Sequence, residues 1–295
     1  MVNIIDLHFL GNEHAIASFL LETSQGPILI ETGPYSTFSQ LKEGIEAKGY
    51  KVEDIKHVLI THIHLDHAGA AWKFARHGAK IYLHPFGQKH MADPSVLMES
   101  ARRIYKDDMD RLWSEMHEIP IEQLQVVEHG ESLQFGEAEI KAWHTPGHAS
   151  HHIAWQLGDI LFTGDVAGVK IGNGPAVAPC PPPDINLEKW HTSIELIRAL
   201  KPLKLYLTHY GEVSDIENHL TELENNLHGL ADWIKVKMEE GIEKGEMTAA
   251  FEKWAESELR KHGVDDVGVK QYAAANPAWM SVAGLVRYWT KKAAQ

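Results

Sequence analysis

Residues 57–69 read His57-Val58-Leu59-Ile60-Thr61-His62-Ile63-His64-Leu65-Asp66-His67-Ala68-Gly69. The apolar run 58–60 ends in polar residues, the pattern of a buried strand that delivers its loop to one edge of a sheet. The loop then carries three imidazoles and a carboxylate within six residues. Side chains at i and i+2 in a loop can converge on one ion, which pairs His62 with His64. Asp66 and His67 can turn toward a second. Imidazole and carboxylate donors suit zinc, iron or manganese.

Outward from this loop, strand and helix signals alternate. Residues 4–9, 15–22 and 27–31 predict strands, with a hairpin turn at Gln25-Gly26. Residues 38–48 and 68–76 have helical spacing, and 79–83 predicts the next strand. The stretch 86–118 departs from this alternation. Asp93-Pro94 starts a helix, and Leu97, Ala101, Ile104, Tyr105, Met109, Leu112, Trp113 and Met116 follow at helical intervals. It predicts one long helix inserted between two strands. Short strands return at 124–128, 137–143, 153–156 and 160–162. Residues 179–183 form a stiff proline-rich loop, followed by a helix at 187–200 and a last strand at 204–208. From residue 213 onward only helix is expected: a capping box at Ser214 to Glu217, a second helix over 248–262, and a third started by Asn276-Pro277. The reading divides the chain into a domain over 1–212 and a helical extension over 213–295 packed on it.

Composition narrows the function. The 295 residues are 44% hydrophobic and 23% charged, which is ordinary globular composition. Acidic residues outnumber basic ones 41 to 28, a formal net charge of −13. That field disfavours nucleic acid and anionic membrane as partners, so a small-molecule substrate is expected. Cys180 is the single cysteine, against twenty histidines. No intrachain disulfide and no cysteine-built zinc site can form. The first residues lack the basic and apolar regions of an export signal, and a cytoplasmic protein is expected.

Four further motifs accompany the first: Glu31-Thr32-Gly33, Thr145-Pro146-Gly147-His148, Phe162-Thr163-Gly164-Asp165 and Leu207-Thr208-His209. With His62 to His67 reading HxHxDH, the chain resembles the metallo-β-lactamase-fold hydrolase superfamily over residues 1 to 212. Residues 6–33 and 145–171 look most like its uncharacterised bacterial and archaeal members. The resemblance implies an α/β fold, a four-layer αββα sandwich with metals on one edge. It implies that His62, His64 and His148 hold a first metal, that Asp66, His67 and His209 hold a second, and that Asp165 bridges them. The cofactors are then two divalent transition-metal ions, zinc first, with iron or manganese as alternatives. Glu31 stands where the superfamily usually has aspartate, and reads as an acceptor that orients a ligand imidazole or its loop.

Two ions a few ångströms apart lower the pKa of a shared water from about 15.7 to roughly 7, and Asp66 can hold and pass on the proton. A hydroxide between the metals would then attack a small ester-like substrate. Thioesters come first, because the 61–70 loop and the helical extension are similar to glyoxalase II; lactones come next. A mono-iron sulfur dioxygenase using His62, His148 and Asp165 is the redox alternative, and a phosphodiesterase or nuclease a further one. His151, Tyr35 and Tyr210 are candidates for substrate contact, although a structural histidine is the plainer reading of His151. Tyr105, Met109 and Trp113 are candidates for a pocket wall that would favour an apolar acyl chain, and the aromatic extension could also mediate a homodimer.

Overall fold

The computed structural model describes residues 2–294. Two six-stranded sheets face each other. The first runs, in spatial order, β1 (Val2–Asp6), β2 (Ala17–Thr23), β3 (Gly26–Ile30), β4 (His57–Leu59), β5 (Lys80–Leu83) and β6 (Leu124–Val126). Hairpin neighbours are antiparallel, and the pairs from β3 onward are parallel because helical crossovers join them. The second holds β7 (Ser132–Phe135), β8 (Ala138–His144), β9 (Ile153–Leu157), β10 (Ile160–Phe162), β11 (Lys204–Leu207) and β12 (Gly211–Val213), in the order β12-β11-β10-β9-β8-β7. Only β10 and β11 pair in parallel there, again across a helix.

The period-two alternation of the strands sorts their side chains. Phe19, Leu21, Ile30 and Leu59 point inward and meet Ile140, Trp155 and Phe162 of the second sheet. Leu20, Leu29 and Val58 point outward, under α1 (Phe38–Glu46), α2 (Leu65–Ala68) and α3 (Ala71–Ala75). The insert follows as α4 (Gln88–Ala92), α5 (Ser95–Tyr105) and α6 (Met109–Leu112). On the far side, α7 (Leu187–Leu200) lays Trp190, Ile194 and Ile197 on Leu161, Leu205 and Leu207. The extension comprises α8 (Ile216–Glu239), α9 (Lys244–Lys261), α10 (Asp266–Ala275) and α11 (Ala278–Ala293). Leu220, Leu223 and Leu227 of α8 and Leu285 of α11 join the same apolar cluster as α7. The layers are helix, sheet, sheet, helix, so the αββα sandwich expected from the sequence is the fold.

Several local expectations are corrected. The first strand ends at Asp6, and Phe9–Gly11 is a tight turn with Leu10 at φ 54°. The short strands β7 and β12 were not anticipated. The insert is not one helix: Asp93 does accept from the Ser95 amide at 3.0 Å, but Lys106 adopts φ 49°, ψ −119°, which breaks the helix. The break folds α6 back so that the Tyr105 and Trp113 rings meet at 5.1 Å. The Ser214 capping box does not form; that hydroxyl donates to Glu212 instead. Helix α10, capped by Asp265 accepting from the Gly268 amide at 2.8 Å, lies between the second and third helices expected. Among the described residues, no helix is long and apolar enough to cross a membrane.

Candidate metal centre

The 61–69 loop is knitted to the turn after β3. The Thr61 amide donates to Glu31 Oε1 at 2.9 Å, the Thr32 amide to the His67 carbonyl at 2.8 Å, and the Ala70 amide to the Gly33 carbonyl at 3.0 Å. Glu31 is fully buried at φ 65°, a left-handed conformation that a non-glycine side chain adopts only at a cost. Two glycines are demanded by close approach. A Cβ at Gly164 (φ 48°) would stand 2.4 Å from Thr61 Oγ1, and one at Gly147 would stand 2.3 Å from Trp190 Cα. The first lets the 162–165 loop of one sheet meet the 61–69 loop of the other. The second lets the His148 loop rest on α7.

Seven side chains converge where these loops meet. His62 Nε2 and His148 Nε2 lie 2.9 and 3.0 Å from His64 Nδ1. Beside this trio, His67 Nε2 and His209 Nε2 lie 3.7 and 3.6 Å from Asp66 Oδ2. Asp165 stands between: Oδ2 is 3.3 Å from His148 Nε2, and Oδ1 is 3.2 Å from His67 Nε2 and 3.4 Å from His209 Nε2. Both groups have the donor spacing of a site that could hold a metal ion.

The outward nitrogens fix how the rings are presented. His148 Nδ1 donates to the Pro179 carbonyl at 2.9 Å, His209 Nδ1 to the Ala15 carbonyl at 2.6 Å, and His67 Nδ1 to Glu31 Oε2 at 3.1 Å. Each bond leaves the Nε2 lone pair facing the centre, the arrangement that metal-binding histidines use. His67 Nε2, His209 Nε2 and Asp165 Oδ1 are buried without a hydrogen-bond partner. Buried polar atoms without well-aligned partners are costly, and a divalent cation, displacing the proton that His67 and Asp165 share in its absence, would satisfy all three. The residues present therefore fit the metal that the motifs imply, and the donors are those of a divalent transition ion.

Charge is distributed unevenly. Burial lowers His62 and His148 and holds His64 at about 4, so that trio is neutral at pH 7. Burial also opposes a charge on His67, but Asp165, Asp66 and Glu31 outweigh it and raise its pKa. Burial favours protonating Asp165, yet His67, His148 and His209 hold it well below the usual carboxylate range. Asp66 is held at about 2, where His67 and His209 overcome its burial.

A cavity of about 1170 Å³ opens onto His64, Asp66 and Asp165. Its walls include Phe9, Tyr105 and Trp113, and it runs on between the insert and the extension. Of the three residues expected in a pocket wall, Met109 is corrected: it is 5% exposed and packed in the core. Tyr35 is also corrected, since its ring packs on Trp72 at 4.8 Å and Phe38 at 5.7 Å, away from the cavity. Tyr210 turns aside and packs its ring, tilted, against His14 with centroids 4.6 Å apart. His151 is half-buried beside the centre, its ring 5.7 Å from that of His64. Its neighbour His152 accepts from the Asp165 amide at 3.2 Å and bonds Thr145 Oγ1 at 2.8 Å, so it positions Asp165. The sequence assigned His152 no role and carried no signal for that partner.

A family model described as the metallo-beta-lactamase superfamily matches residues 11–209. The chain is 29% identical over 178 residues to the metallo-beta-lactamase fold-containing protein ST1585 of Sulfurisphaera tokodaii, covering 58% of this chain and 67% of that one. It is 26% identical over 186 residues to the thioesterase pkgB of Emericella nidulans, covering 62% of this chain and 42% of that one. The match thus spans less than half of that relative's length. The solved structure of a metallo-beta-lactamase family protein from Thermus thermophilus, TTHA1429, has the same fold, with a TM-score of 0.68 over 100% of this chain and 94% of that one at 18% identity. With the sandwich, the five motifs and the metal-binding geometry in agreement, the chain belongs to the metallo-beta-lactamase superfamily.

Proposed function

We propose that the chain is a metal-dependent hydrolase of thioesters that carry an apolar acyl arm, with two divalent ions, zinc first, at the centre. The observation that carries this reading is Asp165, whose two oxygens face different histidine sets. His62, His64 and His148 would hold one ion, Asp66, His67 and His209 the other, and Asp165 would touch both. Bound there, a divalent ion supplies Lewis acidity that makes water nucleophilic near neutral pH and polarises a carbonyl. Asp66, ionised at pH 7 and lining the cavity, accepts the proton that the attacking water loses at its Oδ atoms. Phe9, Tyr105 and Trp113 hold the acyl arm and keep bulk water from it. Cys180 takes no part, because it is fully buried and burial pushes its thiol pKa up. Thioesters are preferred to lactones because a relative is named a thioesterase and the cavity exceeds the usual range of about 300–1,000 Å³.

Elemental analysis and a substrate panel test the reading together. The expected outcome is near two transition-metal ions per chain and turnover of octanoyl thioesters above lactones and phosphodiesters. Asp165→Ala should lose metal and activity together. One tightly held iron with oxygen consumption, or turnover of phosphodiesters alone, would overturn it.

A further inference from the structure

A second cavity, of about 630 Å³, lies against the first and shares the walls Ile104, Pro182 and Trp279 with it. Its other face carries Lys244 from the first turn of α9, and Arg287 and Lys291 from one side of α11. Three cations around one cavity are unusual in a chain of net charge −13. They are also without acidic partners. In the extension, Lys235, Lys237, Arg260, Lys261 and Lys292 each stand within 4.0 Å of a carboxylate. Among the described residues, Lys244, Arg287 and Lys291 do not, nor do Lys253 and Lys270; what sets the first three apart is that they line one cavity. Arg287 Nε and Lys291 Nζ each donate to the Pro183 carbonyl at 3.3 Å. That carbonyl spends one donor of each side chain and holds both at the cavity rim; among the described residues their remaining donors have no protein acceptor. Thr248 of α9 lines the same cavity, its hydroxyl donating to the Lys244 carbonyl at 2.8 Å.

We propose that this basic cavity seats a phosphate group on the thiol arm of the substrate, so that the substrate class is an acyl thioester whose carrier thiol is phosphorylated. The inference rests on the hydrolase reading above for the position of the scissile carbonyl. That carbonyl lies at the Asp66 and Asp165 end of the large cavity. The acyl arm fills the apolar part, and the thiol arm passes along Ile104 and Trp279 into the basic cavity. Phosphate is the anion that matches the site. It carries about −1.5 to −2 charges at neutral pH and three strong acceptor oxygens, which three cations satisfy, whereas a carboxylate needs only one. A guanidinium and two ammonium groups offer the donors that phosphate recognition uses.

The test pairs octanoyl-4′-phosphopantetheine with octanoyl-pantetheine, which differ only in the phosphate, on the zinc-loaded 295-residue chain and on its R287Q/K291Q variant. Both substituted positions are exposed, and circular dichroism confirms that the variant is folded. The expected KM of the parent is about tenfold lower for the phosphorylated thioester, the sum of a few individually weak exposed ion pairs. In the variant the ratio falls toward one. Equal KM values in the parent overturn the phosphate site and leave the hydrolase reading standing. Turnover of neither thioester defeats that reading, and the cavity is then judged by calorimetric titration with inorganic pyrophosphate. Binding by the parent that is lost in the variant supports the site; equal binding, or none, overturns it.

Discussion

Glu31 shows how much one atom type can decide. Its Oε1 accepts from the Thr61 amide and its Oε2 from His67 Nδ1. Glu31→Gln keeps the shape but replaces one acceptor by a donor. Whichever way the amide turns, it sets a donor against the Thr61 amide or against His67 Nδ1–H. If it faces His67, the ring must move its hydrogen to Nε2, toward Asp66 and Asp165, where a cation needs the lone pair. Metal affinity should fall roughly 10- to 100-fold, as losses of such supporting acceptors do. A competitive chelator titration measures this, and an unchanged affinity would remove Glu31 from the centre. Spacing alone pointed to His62, His64, Asp66 and His67, the resemblance added His148, Asp165 and His209, and the fold brings all seven together. Reading the letters could not find the carbonyls of Ala15 and Pro179, which orient His209 and His148, since every residue carries one. It left Tyr35, Met109 and Tyr210 open between pocket and core, because the identity of an aromatic or methionine side chain does not say which face it turns to.

The loop 171–183 joins the extension to the metal centre. The Asn226 side chain of α8 accepts from the Ala178 amide at 2.9 Å, and Ser281 of α11 accepts from the Cys180 amide at 3.3 Å. Between those anchors the Pro179 carbonyl holds His148. Tyr272 of α10 fastens the start of the loop, donating to the Pro175 carbonyl at 2.7 Å and accepting from the Ile171 amide at 3.1 Å. Asn226→Ala frees one anchor and leaves the Ala178 amide without its acceptor, a cost of about 1–3 kcal/mol where the group stays buried. It should weaken metal binding beyond what its effect on the melting temperature of the metal-free protein explains. An equal fall in both, or neither, would show that the loop is not a positioning strap. Long elements with a strong period, such as α7 and α8, were legible in the sequence. The pieces β7, β12 and α10 were not: the strands have four and three residues, too short to show a period, and α10 has only two buried residues, Tyr272 and Ala275. The insert looked like one helix because apolar spacing persists through Lys106, and only the backbone there shows the break.

At the scale of the whole molecule, buried histidines set the acid limit of the fold. His219, on the buried face of α8, donates Nε2–H to the Ala167 carbonyl at 2.8 Å and is held by burial at about 4 against an ordinary 6.5. Between those values the unfolded chain binds a proton that the folded chain refuses, so stability falls as pH drops through the window. The metal-free protein should lose melting temperature from about pH 6.5 down to about 4, and His219→Gln, which keeps the donor and cannot titrate, should flatten that slope. Identical slopes would take His219 out of the account. The centre also divides across the molecule. His62, His64, Asp66 and His67 leave strands of the first sheet, whereas His148, Asp165 and His209 leave the second. Chains are made from the N-terminus, and their early portions begin to fold first. The four earliest donors therefore emerge long before the residue that must stand between the two sets. An ion arriving at that moment meets half a site, while one arriving after the second sheet has closed meets all of it. Such an ion would stabilise only the finished sandwich, by about 2.7 kcal/mol at a hundred times its dissociation constant. Metal loading would thus act as an inspection at the end of biosynthesis, rewarding a chain only when its early-made and late-made strands have come together.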